Sequence, residues 1–135
     1  MRCVLRGVVG MLVLLVGASL FLARNGKLIT PSTSNDILES ITRTTLIEDI
    51  LPDLLGLDVV ERDVDRTELY VADEIFFCGS GYEITPITSV DRLPVGDGQV
   101  GPITRRLSRA YLDIVRGVDK RYEEWRTPIY KAVTV

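Results

Sequence analysis

Two short stretches carry residue types that could hold an anion. Glu39-Ser40-Ile41-Thr42-Arg43 stands at the start of a predicted helix. There the first backbone N–H groups lack intrahelical partners and the helix dipole is positive, so a phosphate would be stabilised. The Ser40 and Thr42 hydroxyls would add donors; the competing reading is a plain N-cap. Gly79-Ser80-Gly81 is the second stretch, a small-residue loop at a predicted strand end. Its N–H groups could form an anion nest, or simply an ordinary tight turn.

What is missing narrows the chemistry further. The 135 residues include no histidine, which removes the commonest general base and metal ligand. No GxSxG, Walker, HExxH or EF-hand pattern occurs, and no catalytic set or metal site is visible. Cys3 and Cys78 are far apart and form neither a CxxC pair nor a disulfide framework; Cys78, inside an apolar run, reads as a small buried hydrophobe. A net charge of −3 with no basic block gives no electrostatic footprint for nucleic acid. Arg105, Arg106, Arg109 and Arg116 read as a solvated helix face, and Trp125 as a packing anchor. Asp63, Asp65 and Glu68 fall in a charged turn, where they serve solubility and helix-start electrostatics.

The elements that must position these residues are intermixed strands and helices. Asn25-Gly26 between Leu20-Phe21-Leu22-Ala23-Arg24 and Lys27-Leu28-Ile29-Thr30 is a strong hairpin signal, because both turn positions need positive φ. From Ile37 through Leu55 apolar residues recur at offsets of three and four. Pro52 should end or kink this helix, or start a short second turn that Gly56 terminates. Leu57 to Val64, Glu74 to Cys78 and Tyr82 to Val90 read as strands, Arg66 to Ala72 as one or two helical turns, and Gly96-Asp97-Gly98 as a loop. Pro102 opens a helix that stops at Gly117. The sum is an α+β domain without strict βαβ alternation.

The first stretch is harder to place. Gly7 to Ala23 carries no charge and is flanked by Arg2, Arg6 and Arg24. A signal peptide and a short membrane anchor are both open readings. If the hairpin forms, Leu20 to Ala23 is a strand, and the apolar segment ends near Ser19, too short to span comfortably.

In order, the segments resemble branched-chain amino acid aminotransferases of the fold-type IV class, over about Leu20 to Tyr130. The matching words are LFL followed by NGKLITP, then ILESITR, ELYVADEIFF, GSGYEITP, GDG and GPITRR. The Gly96 to Arg106 part resembles that group more than D-amino acid aminotransferases or aminodeoxychorismate lyases. The resemblance implies the C-terminal domain of such an enzyme over residues 20–135, with a mixed sheet and flanking helices. It implies pyridoxal phosphate, exchange of an amino group between branched-chain amino acids and 2-oxoglutarate, a homo-oligomer and a cytoplasmic location. Ser40, Ile41, Thr42 and Ser80 would sit at the cofactor phosphate. Gly81 and Tyr82 would meet the substrate carboxylate. The family's covalent lysine lies upstream of the matched region, and Lys27, Lys120 and Lys131 stand in no family lysine motif. Leu14 stands where the family places the glutamate that pairs with the pyridine nitrogen; Gly17 matches the glycine at the end of that segment. The expectation is therefore a partial cofactor site, inactive alone, with residues 1–19 outside the family pattern as a frame artefact, a signal or an anchor. The rival is a membrane-tethered or secreted binding module that uses residues 7–19.

Overall fold

The computed structural model describes residues 3–5, 18–33 and 39–130. The readings made on residues 7–17, including Leu14 and Gly17, on Ile37 and Leu38 and on Lys131 lie outside them. Among the described residues no helix is long and apolar enough to cross a membrane.

A mixed seven-stranded sheet carries the fold, with strand order β1-β6-β5-β2-β3-β4 and β7 paired to β6. The strands are β1 (Cys3–Leu5), β2 (Ser19–Arg24), β3 (Lys27–Thr30), β4 (Val59–Glu61), β5 (Glu74–Gly79), β6 (Glu83–Val90) and β7 (Leu93–Pro94). The β3–β4 and β1–β6 pairs are parallel and the others antiparallel. This is the expected α+β architecture.

The hairpin forms as its sequence requires. β2 and β3 pair around Asn25 (φ 51°) and Gly26 (φ 73°), the two positive φ values that set the turn's twist to match the strands. Asp73 anchors its tip by accepting from the Asn25 amide at 2.9 Å.

Side chains alternate across the sheet with a period of two. Phe21, Ala23, Leu28, Phe76 and Cys78 point to one face and join Leu46, Ile50, Leu51, Leu107 and Ile114 from the helices. Leu22, Ile29, Ile75 and Phe77 point to the other and meet Leu69, Ala72, Val90 and Val95. β5 is buried along its whole length, and Phe21 and Phe76 stack across the β2–β5 pair with centroids 5.0 Å apart.

Helix α1 (Ile41–Thr45) runs directly into a π-helical segment, Leu46–Leu55. The helical run therefore does not end at Pro52, one of the outcomes expected there, but continues through it with π-helical spacing. In an α-helix the Pro52 ring would press on the Glu48 carbonyl, and the wider i→i+5 turn opens that spacing. Gly56 does end the run, in the left-handed conformation (φ 63°), donating to the Leu51 and Pro52 carbonyls. Leu57 to Val64 is mostly irregular, and only Val59–Glu61 pairs. The charged turn forms a 3-10 helix, Arg66–Tyr70, with a capping box between Asp65 and Glu68. Arg62 pairs with Glu68 at 2.6 Å, and that hydrogen-bonded partner holds the Glu68 carboxyl down at about 2.

Helix α2 (Pro102–Val115) opens at Pro102, and Gly117 (φ 74°) follows its end, as expected. Gly101 at its N-cap has no side chain to cap with, and Glu74 of β5 does so instead. Its buried carboxylate accepts from the Ile103 amide at 3.0 Å, the Thr104 amide at 2.8 Å and the Thr104 hydroxyl at 2.8 Å. A Cβ on Gly101 would lie 1.9 Å from the Glu74 Cδ, so only glycine admits this approach.

Glu74→Ala should lower unfolding free energy by about 3 kcal/mol, since it strands three donors at a buried helix end. Gly101→Ala should lose much of the same cap, so the double variant costs clearly less than the sum in urea melts. A second expectation concerns acid. Because the folded Glu68 carboxyl titrates at about 2 rather than 4.5, its stabilising contribution is complete above pH 4.5 and fades as pH falls towards 2. Glu68→Gln should remove that part of the pH dependence of the urea midpoint.

Candidate anion site

The two stretches singled out for anion binding lie at one end of the sheet. Helix α1 packs on β5, and Arg43 of its first turn acts electrostatically on Cys78, one residue before β5 ends. The chain then turns through Ser80, Gly81 and Tyr82 into β6. Tyr111 of α2 links the two: its phenol interacts with the Thr42 hydroxyl and senses Glu83 and Cys78. Burial pushes the Tyr111 phenol above its usual range, and the Thr42 hydrogen bond partly opposes this.

Capping decides which groups of α1 remain open. The Ser40 Oγ accepts from the Arg43 amide at 3.3 Å, and the Ser40 carbonyl accepts from the Thr44 amide at 2.9 Å. The N-cap reading of Ser40 is thus correct in itself. It leaves the Ile41 and Thr42 amides as the two of the first turn without intrahelical acceptors. It also leaves the Ser40 hydroxyl hydrogen free to point elsewhere. Ile41 is 85% exposed, whereas Thr42 is 7% exposed. On the second stretch, Ser80, Gly81 and Tyr82 are exposed, and the Tyr82 amide donates back to the Gly79 carbonyl at 3.1 Å, closing the turn.

Arg43, within the same motif, is not among the residues that the sequence singles out as site residues. Its side chain is 5% exposed, and its Nη2 donates to the Pro31 carbonyl at 2.9 Å and the Glu61 carboxylate at 2.5 Å. A basic residue in a helix's first turn opposes the dipole, and this is the signal that could have drawn notice.

Behind α1, a cavity of about 160 Å3 is lined by Ile41, Thr42, Tyr111, Val115 and Trp125, among others. Trp125 is 44% exposed and stacks on Tyr122 with centroids 4.1 Å apart, so it packs at the rim of the domain rather than in its core. Arg105, Arg106, Arg109 and Arg116 are exposed, as expected.

The donor set suits a phosphate: two amides without an acceptor among the described residues, hydroxyls on Ser40, Thr42 and Ser80, and a buried guanidinium close by. No amine joins it from the described residues. Lys27 belongs to the hairpin, at the Glu74 end of β5 and so opposite Cys78; β5 rises about 3.3 Å per residue between those ends. Lys120 is exposed in the turn after α2. Among the described residues no cluster of three or more His, Cys, Asp or Glu could hold a metal.

Cys78, beneath the site, is fully buried, and burial pushes its thiol up to about 12. It should remain unmodified by iodoacetamide at pH 8 in the folded chain and react once urea unfolds it, as read by peptide mapping.

Comparison with known proteins converges on one family. The model for amino-transferase class IV matches residues 10–90. A probable branched-chain-amino-acid aminotransferase of Aquifex aeolicus is 45% identical over 114 residues, covering 84% of this chain and 36% of the relative. The branched-chain-amino-acid aminotransferase of Pseudomonas aeruginosa is 40% identical over 111 residues, covering 82% and 35%. The branched-chain amino acid aminotransferase of Thermobaculum terrenum, solved in its PLP (holo) form, superposes with a TM-score of 0.80 at 52% identity, covering 85% of this chain and 37% of that one. The chain spans little more than a third of the length of these relatives. With a family match over residues 10–90 and a shared sheet-and-helix architecture, this chain belongs to the class IV amino-transferase family.

Proposed function

We propose that this chain is part of a cytoplasmic, pyridoxal-phosphate-dependent branched-chain amino acid aminotransferase and carries the phosphate half of its cofactor site. The observation that supports this reading is that the α1 first turn packs against β5, the strand that leads into the Ser80–Tyr82 turn, with Tyr111 reaching Thr42 and lying near Glu83 and Cys78. When bound, the cofactor supplies the carbonyl and electron-withdrawing ring through which an amino group passes between an amino acid and a 2-oxo acid.

This chain's residues would do the holding. The Ile41 and Thr42 amides and the Ser40 and Ser80 hydroxyls donate to the phosphate oxygens, joined by the Thr42 hydroxyl when it turns from Tyr111. The Gly81 and Tyr82 backbone faces the substrate carboxylate. The rigid base is β5, buried along both faces, so the two turns keep their spacing without a ligand. Proton transfer needs an amine that the described residues do not bring to the site, so the chain alone binds without turnover. Branched-chain substrates and a homo-oligomeric assembly belong to the intact protein; the relatives' names support the first.

The test is to mix the purified chain with pyridoxal phosphate, record the absorbance spectrum, reduce with borohydride and map the peptides. Binding should be weak and displaced by inorganic phosphate, with no stoichiometric lysine adduct. Thr42→Ala and Ser80→Ala should each weaken it by about tenfold, the scale of a lost hydrogen bond to a charged group. A stoichiometric adduct on Lys27, Lys120 or Lys131 would overturn the absence of a covalent lysine and leave the chain able to be an enzyme in its own right. Binding that phosphate does not displace would remove the phosphate site.

A further inference from the structure

The feature that the phosphate cup leaves unexplained is the buried Arg43. Its side chain is only 5% exposed, and its Nε is buried without a hydrogen-bond partner among the described residues. A guanidinium placed purely as a strut would be expected to spend all its donors, because each buried unpaired one carries a desolvation cost. Its carboxylate partner neutralises it incompletely. Glu61 sits at the end of β4 with its side chain 43% exposed, so water competes for that charge. The Pro31 carbonyl takes a further hydrogen bond but brings no charge.

Its location gives that charge somewhere to act. Arg43 lies in the first turn of α1, and its own amide is already capped by Ser40, so its contribution to an anion comes from the side chain alone. Its field reaches Cys78, the second residue before Ser80. A positive charge in a first helical turn costs dipole energy, and an anion bound across the same turn would reverse that cost.

We infer that Arg43 is the positioning and charge-supplying residue of the anion site, and that Glu61 sets how much of its charge a bound phosphate feels. The inference rests on the phosphate-cup reading above. Arg43 acts in two ways: it ties the α1 start to the ends of β3 and β4, and it lowers the potential energy of a dianion at the Ile41 and Thr42 amides. Only the second makes the site sensitive to Glu61 in a particular direction.

The experiment titrates inorganic phosphate into the folded chain at low ionic strength and follows the amide resonances of Ile41, Thr42 and Ser80. Glu61→Gln removes a half-exposed negative charge and leaves Arg43 in place. It should tighten phosphate by about three- to tenfold, and the gain should shrink as salt is raised to about 0.3 M. Arg43→Lys keeps the charge and should retain most of the affinity, whereas Arg43→Gln should lose about tenfold or more. Unchanged or weaker binding by Glu61→Gln, or wild-type affinity in a folded Arg43→Gln, would reduce Arg43 to a strut and overturn the inference. If Arg43→Gln does not fold, the sign of the Glu61→Gln effect decides alone. Failure of the wild-type chain to bind phosphate at these amides is a different result: it overturns the cup itself, and the role of Arg43 with it.

Discussion

A carboxylate buried at the middle of the sheet joins its two layers. Glu74 begins β5, a strand buried at every position, and no cation pairs with it among the described residues. The α2 amides and the Thr104 hydroxyl meet its charge instead. A desolvated carboxylate is tolerable only when donors are fixed around it, so the positions of β5 and α2 determine each other. α2 then carries Tyr111 to Thr42, and β5 carries Cys78 and the following turn to the same place. The site at one end of the strand depends on the clasp at the other.

Much of this was legible because it is local. Asn25-Gly26 demands two positive φ values, and the hairpin follows. Pro102 and Gly117 bracket α2 by the ordinary asymmetry of helix ends. The two anion-binding stretches were visible as residue types, but their convergence was not. That needs the β2–β5 register, which pairs Ser19 with Cys78 and places the α1 start over the same strand end. Pairing across more than fifty residues leaves no periodic trace in one sequence.

Other failures have physical causes too. Pro52 does not end the helical run because the rule that it should assumes α spacing, and the chain adopts a wider turn there. The strand at Leu57 to Val64 was overestimated because β-branched residues favour a pleated surface only where a neighbour supplies one, and β3 offers just three positions. Arg43 escaped notice for a different reason. An arginine in a polar first turn looks solvated, and nothing in the sequence shows that Pro31 and Glu61 will close over it.

The buried Arg43 guanidinium, whose Nε has no hydrogen-bond partner among the described residues, stands in the capped first turn of α1. Ser40 satisfies the Arg43 and Thr44 amides, and so selects which two amides of the first turn lack an acceptor among the described residues. A neutral helix start with two open amides would hold a phosphate weakly in water, because each hydrogen bond replaces one to solvent. A fixed charge in a low-dielectric setting changes that balance, since its attraction is not lost to reorganising water. The same charge destabilises the empty helix start through the dipole. Glu61 offsets part of that cost, at the expense of some of the attraction an anion would feel. Affinity for the anion and stability of the fold are therefore set against each other through one ion pair, which ties the end of β4 to the start of α1.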